Sequence, residues 1–139
     1  MLILALSAAR AAEPVPTYDA LIMALEAGDA VRVVIHAEHC LVDSAPAPPS
    51  ITGFTIDRYE AVPKGAIGNP VAFLWTTASA MVVDRTVGVA LDHVRLALYE
   101  DGRAELVHRT LDRKNKIRSE DTYGCAIGPE SGVTLFVDR

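Results

Sequence analysis

Apolar and polar residues alternate on both sides of Glu100-Asp101-Gly102, and this stretch constrains the fold more than any other. A two-residue Asp-Gly loop would set Leu98 against Glu105 and Val94 against Arg109, mixing apolar and charged groups on one face. A three-residue loop with Gly102 in the left-handed conformation resolves the conflict, pairing Leu96 with Leu106 and Leu98 with Ala104. The hairpin therefore spans Val94 to Leu111. Its second face, with Tyr99 beside Arg103 and Ala97 beside Glu105, is expected to meet water. The same register places His108 opposite Val94, on the apolar face.

The remaining segments extend this β pattern. Thr17 is an N-cap candidate for a helix with apolar positions at Tyr18, Leu21, Ile22 and Leu25, Asp19 in its first turn and Gly28 as its stop. Val31, Val33, Val34 and Ile35 then mark a strand running toward Cys40. Pro46, Pro48 and Pro49 make Asp43 to Ser50 a loop. Ile51 to Tyr59 and Val71 to Thr77 read as strands separated by a turn region with Pro63, Gly65, Gly68 and Pro70, and Met81 to Val89 as a further strand. Asp112 to Thr122 reads as a solvated connection carrying both charge signs, and a basic patch for an anionic partner is the alternative. Tyr123 to Ile127 and Val133 to Val137 complete the chain as a second hairpin. The expected fold is mainly β: an N-terminal helix followed by about seven antiparallel strands forming a small barrel or sandwich, since closure removes exposed edges.

Half of the 139 residues are apolar and 22% are charged, which argues against disorder, and the net charge of -5 gives little reason to approach nucleic acid. The length suits one domain, here residues 13–139, and the mature chain has no apolar stretch approaching the ~20 residues a membrane helix needs. Residues 1–12 read as a signal-peptide remnant: an apolar run, Leu2 to Leu6, precedes small residues at Ala9 and Ala11, although no Lys or Arg stands before it. Export would place the protein in the periplasm or outside the cell, where the two cysteines, Cys40 and Cys125, are expected to form one disulfide. A cytoplasmic N-terminus that happens to be apolar is the alternative, and leaves two buried thiols.

Few residues announce chemistry. His36, Glu38, His39 and Cys40 have the donor types of a metal site, but a strand through His39 would turn it away from His36 and Glu38, and a disulfide would consume the thiolate. No metal, cofactor or catalytic constellation is expected from the sequence: it lacks a Gly-rich phosphate loop, a GxSxG elbow and a paired-carboxylate arrangement. The candidate ligand-binding residues are Phe73 and Trp75, which share one side of a strand, and His108. The aromatics could line a barrel mouth or fill the core, as could Phe54 and Ile56; an inward histidine could polarise a ligand, act as an acid or base, or hydrogen-bond another buried group.

Thr17-Tyr18-Asp19-Ala20-Leu21, Leu25-Glu26-Ala27-Gly28 and Val31-Arg32-Val33-Val34-Ile35-His36 leading to Cys40 resemble the opening of the VirK-like family of exported bacterial proteins. Gly53 with Ile56-Asp57, Val94-Arg95 to Asp101-Gly102, and Tyr123-Gly124-Cys125-Ala126-Ile127-Gly128 before Gly132-Val133 continue it in order. The chain departs from the family's pattern at Ala37-Glu38-His39. The resemblance implies a small periplasmic or secreted domain associated with virulence regulons, and transfers no activity, cofactor or catalytic residue. The function expected is that of an exported non-catalytic domain binding a small ligand or an envelope protein. A small periplasmic hydrolase-like enzyme using His108 and a structural adaptor are the alternatives.

Overall fold

The computed structural model describes residues 11–138. The segment read as a signal-peptide remnant falls mostly outside them. Thr17 caps the helix α1 (Tyr18–Glu26), its Oγ1 accepting from the Ala20 amide at 3.2 Å, and Gly28 ends it at a φ of +81°. Tyr18, Leu21, Ala24 and Leu25 form its buried face.

The strands are β1 (Glu13–Pro14), β2 (Ala30–His36), β3 (Leu41–Val42), β4 (Ala45–Pro46), β5 (Ile51–Thr55), β6 (Tyr59–Val62), β7 (Phe73–Asp84), β8 (Gly88–Tyr99), β9 (Arg103–Leu111), β10 (Ile117–Ile127) and β11 (Gly132–Asp138). They form one curled sheet in the order β5-β2-β11-β10-β9-β8-β7-β6, with β1 on β11 and the small β3–β4 pair against β10. The architecture is a half-barrel rather than a closed barrel or sandwich, and the described residues form eleven strands rather than about seven. Its outermost strands, β5 and β6, are neighbours in sequence but are not paired with each other. The helix lies over the concave face, and its apolar side merges with Val31, Val33, Ile35, Leu74, Leu96, Leu98, Leu106, Val133 and Leu135 in one core. A single helix thus supplies the cover that full closure would have given.

The hairpin at Gly102 has the expected register: Leu96 faces Leu106, Leu98 faces Ala104 and Val94 faces His108, with Gly102 at a φ of +88°. Four other expectations are corrected. Ile51 to Tyr59 is two strands, because the chain turns away after Thr55 and resumes against β7 at Tyr59. The proposed strand Met81 to Val89 instead contains a turn: Asp84 Oδ1 accepts from the Thr86 and Val87 amides, and Gly88 at a φ of +77° reverses the chain, so β7 runs unbroken from Phe73 to Asp84. The charged connection Asp112 to Thr122 is largely strand, for β10 begins at Ile117 and its charges are accommodated by exposure and by pairs such as Arg109 with Glu120. The C-terminal pair is not a hairpin, since β10 and β11 meet in parallel, Ala126 to Gly132 and Ile127 to Val133, before β11 crosses to β2. The outward face of the central hairpin is also less wet than expected, with Ala97 and Val107 buried there.

Cys40 and Cys125 are bonded, with a Cα–Cα distance of 4.6 Å. The bond ties the turn after β2 to β10. Gly132 packs directly against it.

Candidate functional site

The alternation of β9 delivers His108 to the concave face, beyond Leu106. On β8, Asp92 faces the same way: it is opposite Thr110, one step from the Val94–His108 pair. Asp92 Oδ1 lies 3.3 Å from His108 Nε2 and accepts from Thr110 Oγ1, also at 3.3 Å. About one third of each partner's side chain is exposed. The pair opens into a pocket of about 200 Å³ whose walls are Ile35, Ala37, Val94 and Leu106, with Ser50, Thr52 and Tyr123 adding polar atoms. Burial, reinforced by the negative charge of Asp121, raises the Tyr123 phenol above its ordinary pKa. An apolar wall with a few convergent polar groups is the usual composition of a small-molecule site, and this volume is below the roughly 300 Å³ at which drug-sized pockets begin. It suits a ligand of few heavy atoms.

Phe73 and Trp75 lie on the opposite, convex face, because Leu74 and Thr76 take the inward positions of β7. The core role open to the two aromatics falls to Leu74 instead. Phe73 meets Trp75 edge-on with centroids 5.9 Å apart and lies 5.8 Å from Tyr99; the Arg95 guanidinium sits 5.0 Å above Trp75, and that of Arg103 4.7 Å above Tyr99. Trp75 Nε1 donates to Glu60 Oε2 at 3.0 Å. An open groove of about 430 Å³ runs beside Trp75, between Arg58, Tyr59, Thr77 and Arg95. The structure thus brings Phe73 and Trp75 together and puts His108 on the other side of the sheet. Phe54 is half-buried and Ile56 buried, both against the core.

The His36 to Cys40 stretch does not continue as a strand, since Ala37–His39 forms a 3-10 turn. His36 Nδ1 is 3.6 Å from Glu38 Oε1, and the His36 and His39 rings are 6.2 Å apart. The backbone N–H of Glu38 lowers its carboxyl below the usual range against some desolvation, and the two histidines add to the effect. Cys40 is committed to the disulfide, and no trio of metal-ligating side chains converges among the described residues.

Asp92 and Tyr123 are the members of the pocket that sequence reasoning missed. Asp92-His93 reads locally as a turn, yet both lie within β8, His93 facing outward with Nδ1 2.8 Å from Ser79 Oγ. The signal was available: extending the Leu96–Leu106 register by two pairs sets Asp92 against Thr110.

The family model described as "VirK protein" matches residues 14–116. The Tyr123 to Val133 resemblance and Cys125 lie beyond that span. The fold is similar to that in the crystal structure of lpg1832, a VirK family protein from Legionella pneumophila, with a TM-score of 0.73 at 15% identity, covering 89% of this chain and 98% of that one. No curated protein matches the chain.

Proposed function

Because this chain belongs to the VirK family, we propose that it works as an exported, non-catalytic domain that binds a small polar ligand in the concave pocket, with His108 and Asp92 as its recognition pair. The observation that carries the reading is the convergence of His108, Asp92 and Tyr123 on an apolar-walled pocket in the opening of the half-barrel. The Cys40–Cys125 bond supports a periplasmic or secreted location, since such bonds persist in oxidising compartments. A link to host interaction rests on the family resemblance alone. Among the described residues no helix is long and apolar enough to cross a membrane. The Phe73–Trp75 groove on the convex face is a second candidate surface, suited by its two arginines and stacked aromatics to an envelope protein.

Native mass spectrometry of protein taken from its own envelope tests the proposal. A retained small molecule that disappears in Asp92→Asn and His108→Ala but survives in Trp75→Ala supports the concave pocket. Loss only in Trp75→Ala moves the site to the groove, and a protein free of small molecules but joined to an envelope protein replaces ligand binding by an adaptor role. One observation favours the enzymatic alternative: a carboxylate beside an imidazole is the orienting half of an acid–base pair. Turnover of an acyl or phosphoryl substrate, abolished in a folded His108→Ala variant, would establish it. For export, N-terminal sequencing is expected to find a mature chain starting at Ala12 or Glu13, just where β1 joins the sheet.

A further inference from the structure

β7 is paired with β8 in unbroken register from Phe73–Tyr99 to Asp84–Gly88, but β6 covers its other side only from Phe73 to Thr76. Beyond Thr76, no strand among the described residues lies along that edge. One hydrogen bond sets the direction of its backbone groups. The Glu100 amide donates to the Ala72 carbonyl on the β8 side, so the even-numbered residues of β7 point their N–H and C=O groups at β8 and the odd-numbered ones point away. Thr77, Ser79, Met81 and Val83 therefore present backbone donors and acceptors to the open edge. Exposed edges are normally blunted by Lys, Pro or a bulge. This segment has no charge and no proline, its register has no shift, and Met81 and Val83 are 71% and 86% exposed.

We propose that this edge is a self-association surface, on which a second copy of the chain adds its own β7 antiparallel about a two-fold axis at Ala80. In that register Thr77 faces Val83 of the second copy and Ser79 faces Met81. Every edge-directed residue then meets another, and each pair exchanges both backbone bonds. The even positions complement one another too: Ala78 faces Val82, and Ala80 faces Ala80 at the close spacing of a non-hydrogen-bonded pair, where a small side chain fits. The pairing stops at Val83 opposite Thr77, because Tyr59 already occupies the place opposite Thr76. At that point the end of the incoming strand meets the groove beside Thr77. The contact is isologous and closed, consuming the open edge of both copies.

Sedimentation velocity over a concentration series, on the oxidised full domain, is expected to show a reversible monomer–dimer equilibrium. Met81→Pro removes a donor that faces the edge and leaves the β8 ladder intact, so it is expected to weaken dimerisation about tenfold or more with an unchanged far-UV spectrum. Ala80→Cys tests the register without weakening the strand: it should cross-link to a dimer on mild oxidation, whereas Ala78→Cys, offset from the axis, should not. Peptide mapping confirms in each case that Cys40 and Cys125 remain paired. A monomer at every concentration, or equal cross-linking at positions 78 and 80, would overturn the proposal.

Discussion

A Cβ built on Gly132 would stand 2.6 Å from Cys40 Sγ and 3.2 Å from Cys125 Cβ. The glycine and the disulfide are therefore one structural unit: the backbone of β11 enters the sheet against the sulfur atoms, at a φ of +108° that disfavours any side chain. This is the point where β10 and β11 make their short parallel contact.

Gly132→Ala is expected to lose about 2–4 kcal/mol of stability, from backbone strain and displacement of the bridge together. Urea unfolding of the oxidised protein measures it. A loss below about 0.5 kcal/mol, the scatter of ordinary surface changes, would contradict the packing described.

The bridge itself closes a sequence separation of 85 residues. Cys40→Ala and Cys125→Ala should each cost about 2–5 kcal/mol, with a chain-entropy contribution near 4–5 kcal/mol, and the double variant should lose no more than either single one. Thiol titration of the denatured wild type should find no free thiol. Additive losses would mean that each cysteine acts alone.

Leu74 and Trp75 are adjacent but face opposite sides of β7. Leu74 is fully buried, so Leu74→Ala is expected to cost about 2–5 kcal/mol. Trp75→Ala, on the convex face, should cost less, about 1 kcal/mol, chiefly from the Arg95 and Glu60 contacts. The reverse order in equilibrium unfolding would place the aromatic ladder in the core and reverse the faces of the sheet.

Asp112 organises the turn between β9 and β10. Its carboxylate accepts from the Lys116 and Lys114 amides and from Arg118 Nε, and these contacts, led by the Lys116 amide, lower its pKa despite partial desolvation. A carboxyl depressed in the folded state stabilises at pH values above its unfolded pKa, and that contribution is lost as pH falls through the folded pKa. A carbon-detected NMR titration should find the Asp112 midpoint below the ordinary Asp value of about 3.9, with the protection of the Lys114 and Lys116 amides, relative to their intrinsic exchange rates, falling only below it. In Asp112→Asn the exchange at those amides should be faster at neutral pH and lose this acid dependence.

Much of the fold was legible wherever local chemistry has a single solution. Thr17 and Gly28 bound the helix because a hydroxyl cap and a left-handed glycine satisfy its ends without outside help. The Gly102 hairpin was readable because one register alone keeps Leu96, Leu98, Ala104 and Leu106 on a common face. The disulfide followed from there being two cysteines and an expected oxidising compartment.

Tertiary structure decided the rest. Period-two alternation says which residues of β7 share a side, but not which side meets the helix; Leu74 went inward and Phe73 and Trp75 outward because α1 fills only the concave face. Charged Glu120 and Asp121 became strand because β9 offered a partner ladder, whose hydrogen bonds outweigh local polarity at an exposed edge. The His108–Asp92 pocket lies between those extremes, since its register was implicit in the hairpin while its walls, Ile35 and Tyr123, come from strands distant in sequence. The sequence by itself thus determined the helix, the central hairpin and the cysteine pair, all set by short-range geometry or by elimination. The curl of the sheet, the sides assigned to its aromatics and the open edge of β7 depend on which surfaces the single helix can cover, and so belonged to the assembled fold alone.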